Sequence, residues 1–161
     1  TVKDDLDFVL AAEQHEDNCP FVGQWTRKQH EAALEDRDMS HLMIVRVSDQ
    51  MPVGYIILIG LSDVNQSIGL KRLVVMHKGK GYGKEALSLI KKLAFEELHV
   101  HRLWLDVKDH NLRAQHIYES AGFVREGVLR ECIKTEDCFE SLILMSMLQT
   151  EYSNPKSANN M

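Results

Sequence analysis

Three alternating glycines and three lysines lie together in the stretch 73–84, which reads LVVMHKGKGYGK. Glycine lets the backbone turn sharply and come close to a ligand, because no Cβ stands in the way. The residues that follow are typical of a helix, and the first turn of a helix offers free N–H groups and a positive dipole to an anion. The stretch therefore predicts a turn that binds a phosphate group of a ligand.

Two common phosphate-binding motifs do not fit this spacing. The dinucleotide fingerprint G-x-G-x-x-G, begun at Gly79, requires a third glycine where the chain has Lys84. The P-loop G-x-x-x-x-G-K-S/T requires a glycine where the chain has Lys78, and a hydroxyl residue where it has Glu85. The sequence therefore argues against both kinds of nucleotide site.

Residues 78–83 resemble the acetyl-CoA motif Q/R-x-x-G-x-G/A of the GNAT acetyltransferases, with lysine at the first position. A second block, residues 111–123, reads NLRAQHIYESAGF and resembles the segment N-x-x-A-x-x-x-Y-x-x-x-G-F of the same family. The order and separation of the two blocks also match. Residues 122–131 are similar to the branch that includes the ribosomal-protein N-terminal acetyltransferases and the polyamine acetyltransferases. The chain is thus identified as a member of this family.

The resemblance implies acetyl-CoA as the cosubstrate. Main-chain N–H groups of the glycine-rich turn would bind its diphosphate, and the strand before the turn would pair with the pantetheine arm. A backbone N–H at about Val75 would face the thioester carbonyl. Tyr118 would lie near the sulfur as the general acid, and Asn111 would hydrogen-bond the pantetheine arm. The residues expected to hold the cosubstrate are Leu73, Val74, Val75, Lys78, Gly79, Lys80, Gly81, Tyr82, Gly83, Lys84 and Asn111.

Two of these side chains also have a structural interpretation. Asn111 suits the N-cap of a helix, a role that is compatible with ligand binding. Tyr118 lies two helical turns later and therefore on the same stripe of that helix, where it would also suit a core position.

The general base of the family pattern is missing. Many relatives carry a glutamate before the glycine-rich turn, in a pattern such as E-L-x-R-L-V-V. Residues 69–75 read GLKRLVV, so Gly69 stands where the carboxylate would be. A different acid, an ordered water or deprotonation of the free substrate would have to serve. Asp106 is one candidate, although its place in an alternating strand equally suits a surface position.

The predicted activity is direct transfer of the acetyl group from acetyl-CoA to a primary amine within a ternary complex. A spermidine-type polyamine, a protein N-terminus and an aminoglycoside-like drug all remain open as the acceptor. The alternative is a sensor or regulatory module that binds coenzyme A without turnover, which the missing base favours.

Composition limits the partners. The chain has 161 residues, 44% of them hydrophobic, and a net charge of −5. This charge argues against nucleic-acid binding and is compatible with an amine substrate. No apolar run is long enough for a membrane span. Three cysteines without C-x-x-C spacing predict neither disulfides nor a metal, and the cytoplasm is the expected location. All eight histidines are interpreted as surface or turn residues. A homodimer is expected from the family.

Periodicity predicts an α/β (α+β) domain over residues 1–150, followed by a polar, disordered tail at 151–161. The expected architecture is the GNAT acyl-CoA N-acyltransferase fold, a mixed and mostly antiparallel sheet flanked by helices, with the opening strand of the family very short or absent. Helices are predicted at 6–12, 29–34 after a Thr26 cap, 82–98 and 111–121, and strands at 41–47, 53–61, 67–76, 101–107, 123–129 and 140–148.

Overall fold

The computed structural model of the protein describes residues 1–155. Its elements are, in chain order, α1 Leu6–Gln14, α2 Arg27–Glu35, β1 Met39–Val45, β2 Pro52–Ile59, β3 Ser67–Val75, α3 Tyr82–Lys92, β4 Arg102–Lys108, α4 Leu112–Ser120, β5 Val124–Lys134, β6 Phe139–Leu148 and α5 Gln149–Ser153. A 3₁₀ turn at Lys3–Asp5 precedes α1. None of the helices within residues 1–155 is long and apolar enough to cross a membrane.

The strands of the described chain form one six-stranded sheet in the order β1-β2-β3-β4-β6-β5. β3 and β4 are parallel, whereas the other neighbouring pairs are antiparallel. A parallel pair needs a crossover connection, which α3 provides here. The predicted class, a mixed and mostly antiparallel sheet flanked by helices, is confirmed.

The parallel pair separates at one end, and this fork positions the site. β3 and β4 are in register from Ser67 and Arg102 to Leu70 and Leu105. Beyond that point β3 continues to its end, and β4 continues along β6, without pairing with each other. The register of β3 against β2 also shifts next to Leu70, as in a β-bulge. Bulges bend a strand and redirect its side chains. The two strands therefore diverge and open a cleft between them.

The core lies on both faces of the sheet because β2 is buried on both sides, as its apolar run predicts. Ile56 and Leu58 pack with α3 on one face. Tyr55 and Ile57 pack with α1 on the other. This alternation follows from the period of two in a strand. It explains why α3 and α1 pack on opposite faces of the sheet.

Local signals placed most boundaries correctly. The Thr26 side chain accepts a hydrogen bond from the Gln29 backbone N–H and forms the predicted capping box. The helix predicted to continue to residue 98 is α-helical only to Lys92, and Leu93–Glu97 form a π-helical turn. β5 extends five residues beyond its predicted end, because it stays paired with β6 as far as Lys134.

The start of the tail is also corrected. Residues 149–153 form α5, which overlaps the segment predicted to be disordered from residue 151. The ring of Tyr152 stacks on Phe95 with centroids 4.9 Å apart, and its hydroxyl lies 2.5 Å from a Glu96 carboxylate oxygen. This packing against the turn after α3 explains why residues 151–153 are helical, although their composition predicted disorder. The remainder of the predicted tail, residues 156–161, lies outside the described residues.

Candidate active site

The fork between β3 and β4 opens into two adjoining cavities. The larger cavity has a volume of about 340 Å³, and the smaller cavity has a volume of about 130 Å³. The segment between α1 and α2, residues 15–26, contributes lining residues to both cavities. We call this segment the acceptor loop. The residues that line both cavities are Phe21, Val22, Leu73, Asn111, Ala114 and Tyr118. These shared lining residues make the two cavities immediate neighbours.

The glycine-rich turn has the backbone that a phosphate site requires. His77, Gly79 and Gly81 have φ values of 55°, 86° and 86°, so left-handed backbone recurs at every second residue. Alternation of this kind can turn successive N–H groups toward one anion. A Cβ built on Gly79, Gly81 or Gly83 meets nothing within 4 Å, so the turn faces open space. Gly81 is also the N-cap of α3, which adds the positive end of an eleven-residue helix.

The three lysines of the turn do not act alike. Lys80 and Lys84 are exposed beside the turn. The ammonium group of Lys78 instead donates to the Asp17 carbonyl oxygen and lies 5.7 Å from the centroid of the Phe21 ring. Burial lowers the pKa of Lys78. Lys78 therefore lines the smaller cavity, and its ammonium group also binds the acceptor loop.

Helix α4 brings two predicted residues to the junction of the cavities. Asn111 is its N-cap, and its side-chain oxygen accepts from the Ala114 N–H at 3.2 Å, as the structural interpretation predicts. The ring of Tyr118 packs edge-on against Phe123, with centroids 6.0 Å apart. Burial, together with the nearby Asp106 carboxylate, raises the pKa of Tyr118 to about 12. The Tyr118 hydroxyl makes no hydrogen bond to the residues that the structure describes.

The diverging end of β3 supplies the remaining wall. Leu73 lines both cavities, Val74 the larger and Val75 the smaller. The structure thus brings together most of the predicted cosubstrate residues. The predicted residues that line neither cavity belong to the glycine-rich turn and the first turn of α3; they are Gly79, Lys80, Gly81, Tyr82 and Lys84. The hydroxyl of Tyr82 accepts a 3.5 Å hydrogen bond from Arg46.

Side-chain packing explains why Gly69 stands where the general base was expected. A Cβ on Gly69 would lie 2.7 Å from the Trp104 ring and 2.9 Å from the Ile59 side chain. Trp104 on β4 thus fills the space that a glutamate side chain would need. Asp106, two residues further along β4, is half-buried on the wall of the larger cavity.

Asp106 is the one carboxylate among the described residues that line the larger cavity. Burial raises the pKa of Asp106, and the nearby Lys71 opposes that shift. Two further cations on this wall have acidic partners outside the cavity. Arg72 is paired with Glu13, and the ammonium of Lys108 lies 2.8 Å from the Glu140 carboxylate.

The sequence analysis did not predict a buried polar cluster that lies next to the acceptor loop. His30 is 0% exposed and His41 is 7% exposed, so the prediction that all histidines lie at the surface was wrong for these two. The Glu13 carboxylate accepts from Tyr55 Oη at 2.5 Å, and one of its oxygens lies 3.1 Å from His30 Nε2. Burial lowers the pKa of His41 to about 4. One available signal was the three-residue spacing of His30 from the buried Ala33, which puts both on the inner face of α2.

No group of three or more histidine, cysteine, aspartate or glutamate side chains in the described chain could hold a metal ion. The three cysteines are free and exposed.

A cleft between diverging parallel strands, a glycine-rich turn with alternating left-handed backbone and a half-buried phenol in the cleft are the features expected of an acyl-coenzyme A transferase site. The family model described as an acetyltransferase (GNAT) domain matches residues 2–124 of the chain, and the protein belongs to this family. The predicted membership is confirmed, and the protein is an acetyl-CoA-dependent N-acetyltransferase that acts on a primary amine.

Characterised relatives resemble the chain over most of its length. The spermidine N(1)-acetyltransferase of Vibrio cholerae is 25% identical over 147 residues, which are 85% of this chain and 85% of that protein. A probable N-acetyltransferase of Bacillus subtilis is 28% identical over 125 residues, or 76% of this chain and 69% of the relative. The spermidine N-acetyltransferase of Vibrio cholerae in complex with CoA and spermine has a TM-score of 0.84 at 21% identity, with 96% of this chain and 95% of that one covered. This last likeness supports the fold.

Proposed function

We propose that the smaller cavity takes the pantetheine arm of acetyl-CoA, that the larger cavity takes the acceptor amine, and that Tyr118 serves both at their junction. The observation that carries this assignment is the set of lining residues common to both cavities, because it places an amine in one cavity next to a thioester in the other. The glycine-rich turn lies at the edge of the cleft, where the diphosphate of coenzyme A would leave it.

The reaction that this arrangement supports is a direct transfer. The neutral amine nitrogen attacks the thioester carbon, a C–N bond forms, and the C–S bond breaks. Charge develops on the carbonyl oxygen and needs a hydrogen-bond donor, which a backbone N–H of the free edge of β3 near Val75 would provide. The phenol of Tyr118 gives its proton to the departing sulfur and is restored by the proton that the nitrogen loses.

Asp106 takes the position of the missing glutamate in this proposal. An incoming ammonium group is attracted by the carboxylate and must lose a proton before it attacks. Burial raises the pKa of Asp106, and a carboxylate with a raised pKa is a stronger base. An amine has an ordinary pKa near 10.4 when it is a lysine-type amine and about 8 when it is an α-amine, so help with deprotonation matters most for the former.

The acceptor that we infer is a flexible cationic amine of the polyamine class. The support is that the relatives from Vibrio cholerae and Escherichia coli are both spermidine N(1)-acetyltransferases. The larger cavity offers one unpaired carboxylate, so one terminal ammonium would bind at Asp106 while the rest of the polyamine extends toward solvent. The predicted homodimer and the cytoplasmic location stay predictions. The exposed apolar side chains of the edge strand β5 are compatible with self-association.

A panel of amines tests this function. With acetyl-CoA present, we expect release of free thiol with spermidine and spermine, and slower release with a peptide that has a free N-terminus. Since only one ammonium is held, a monoamine of similar length should have a KM within about tenfold of that of spermidine. Thiol release is followed with a thiol reagent, and the acetylated product by mass spectrometry. Binding of coenzyme A without turnover of any amine would favour the sensor alternative.

Replacement of the proposed base gives a second test. Asp106→Asn should lower kcat/KM for the amine by about 100-fold, within the usual range for general acid–base groups. In the wild type, kcat/KM should fall at acidic pH, with a midpoint above the ordinary carboxyl pKa, because protonated Asp106 cannot accept a proton. This acidic limb should disappear in the variant.

The matched control for that variant is Asp109→Asn, which removes an exposed carboxylate three residues further along the chain. It should leave kcat/KM and its pH profile unchanged. An Asp106→Asn enzyme that retained the rate and the acidic limb of the wild type would exclude Asp106 as the base.

A further inference from the structure

A buried carboxylate below the acceptor loop is the strongest feature that the proposed mechanism does not use. Glu13, near the end of α1, is 1% exposed. Its oxygens accept hydrogen bonds from the Trp25 backbone N–H at 3.0 Å, from Tyr55 Oη at 2.5 Å and from the Arg72 guanidinium, and one lies 3.1 Å from His30 Nε2. Glu13 thus connects the acceptor loop, α2, β2 and β3.

Two of these partners belong to the wall of the larger cavity. Trp25 and Arg72 both line it, and the Arg72 guanidinium carbon lies 4.2 Å from the centroid of the Trp25 ring. Arg72 also touches the acceptor loop at Gly23, where a Cβ would be 3.4 Å from its Nη2. Glu13 is therefore bonded to the backbone of one wall residue and to the side chain of the other.

The charge of Arg72 is a problem for a cationic substrate. Its side chain is 6% exposed, so water screens it little. An unpaired guanidinium at the wall would repel an incoming ammonium group. Glu13 cancels that charge from behind the wall, as Glu140 does for Lys108. Of the charged side chains described on this wall, Asp106 and the nearby Lys71 then stay without a salt-bridge partner, and Asp106 attracts the amine. Burying an ion pair has a large desolvation cost, and an apolar pair is often equally stable. Stability alone therefore gives no reason for this pair.

We propose that Glu13 is a positioning residue for the acceptor: it holds Trp25 and Arg72 in the wall of the larger cavity and neutralises Arg72 toward the incoming amine. The inference rests on the proposed function, in which that cavity takes the amine. It assigns Glu13 no contact with the substrate.

The charge part of the inference is tested with Glu13→Gln, Arg72→Gln and the double variant. Glutamine keeps an oxygen that can accept from the Trp25 N–H, so Glu13→Gln removes charge with little change of shape. Arg72→Gln removes the charge and also the guanidinium that lies over the Trp25 ring. Glu13→Gln should raise the KM of the amine about tenfold, because Arg72 becomes an unpaired cation. Arg72→Gln should lower the KM, because Glu13 becomes an unpaired anion. The double variant should lie within about threefold of the wild type.

The dissociation constant of coenzyme A, measured by calorimetry, should change less than about twofold in all three variants. A purely structural role predicts the opposite pattern, in which both single variants raise the KM and the double variant is worse than either. That pattern would overturn the charge part of the inference. Glu16→Gln is the control, because it removes an exposed carboxylate from the acceptor loop itself.

The positioning part is tested without any substrate. The protein has two tryptophans, so Trp104→Phe leaves Trp25 as the single tryptophan, which is excited selectively. In that background, Glu13→Ala should increase quenching of Trp25 by acrylamide, whereas Glu16→Ala should not. Unchanged quenching in a folded Glu13→Ala protein overturns the positioning role. If that protein does not fold, the Glu13→Gln and Arg72→Gln double variant replaces it, and the KM comparison decides.

These readouts separate the two levels of the proposal. A wild-type protein that turns over no amine would refute the proposed function, and the quenching experiment would still decide whether Glu13 holds Trp25. A wild-type protein that turns over amines, together with a Glu13→Gln variant of unchanged KM, would refute the inference alone.

Discussion

Gly81→Val is expected to raise the dissociation constant of coenzyme A by at least about 100-fold. Gly81 has a φ of 86°, a backbone conformation that strains a β-branched residue by about 1–3 kcal/mol. If the turn rearranges to relieve that strain, its N–H groups no longer converge on the diphosphate. Each lost hydrogen bond to a charged group costs about 1.5–3 kcal/mol, so the loss of two exceeds the ~2.7 kcal/mol of a 100-fold change. Isothermal calorimetry with coenzyme A measures the effect.

Gly127→Val is the matched control. Gly127 lies on β5, has no positive φ, and a Cβ built there meets nothing within 4 Å. The same substitution should therefore leave the affinity for coenzyme A unchanged. Circular dichroism would check that both variants are folded. Normal affinity in a folded Gly81→Val protein would refute the assignment of the glycine-rich turn as the diphosphate site.

Tyr118→Phe is expected to lower kcat by about 100-fold or more, the usual contribution of a general acid, with little change in the affinity for coenzyme A. The ring and its packing against Phe123 are retained, so the substitution removes only the proton donor. Steady-state kinetics with a reactive amine measures kcat, and calorimetry measures cosubstrate binding. The departing thiolate would then have to leave without a positioned proton.

The pH dependence follows from the environment of the phenol. Because the pKa of Tyr118 is raised to about 12, the hydroxyl keeps its proton throughout the neutral and moderately alkaline range. Ionisation of Tyr118 should therefore cause no loss of rate below about pH 10, two units under that value. Tyr152→Phe is the control, since it removes a phenol on α5 that bonds Glu96 outside the cleft. Equal rates for Tyr118→Phe and wild type at every pH would exclude Tyr118 as the acid.

Residues whose roles depend on near neighbours were predicted correctly. The glycines of the turn are recognisable because a left-handed backbone and an open approach favour glycine locally. Thr26 and Asn111 cap helices through hydrogen bonds to residues three positions away. The double-sided burial of β2 follows from its uninterrupted apolar run.

Residues whose roles depend on distant partners were missed or left open. Gly69 is a glycine because Trp104, thirty-five positions later, occupies the space beside it. Asp106 faces the cavity because β3 and β4 separate beyond Leu70, and this divergence has no counterpart in the alternation of either strand. His30 and Glu13 meet Tyr55 and Arg72 only after two helices and two strands have packed together.

The sequence alone thus determined the family and the cosubstrate and predicted the turn that would bind it, since each rests on motifs within short segments. Only the tertiary structure decided which carboxylate lines the larger cavity and which cations are neutralised. The reason is that the environment of a charge depends on every group within several ångströms. In this fold those groups come from segments as far apart as Glu13 and Glu140.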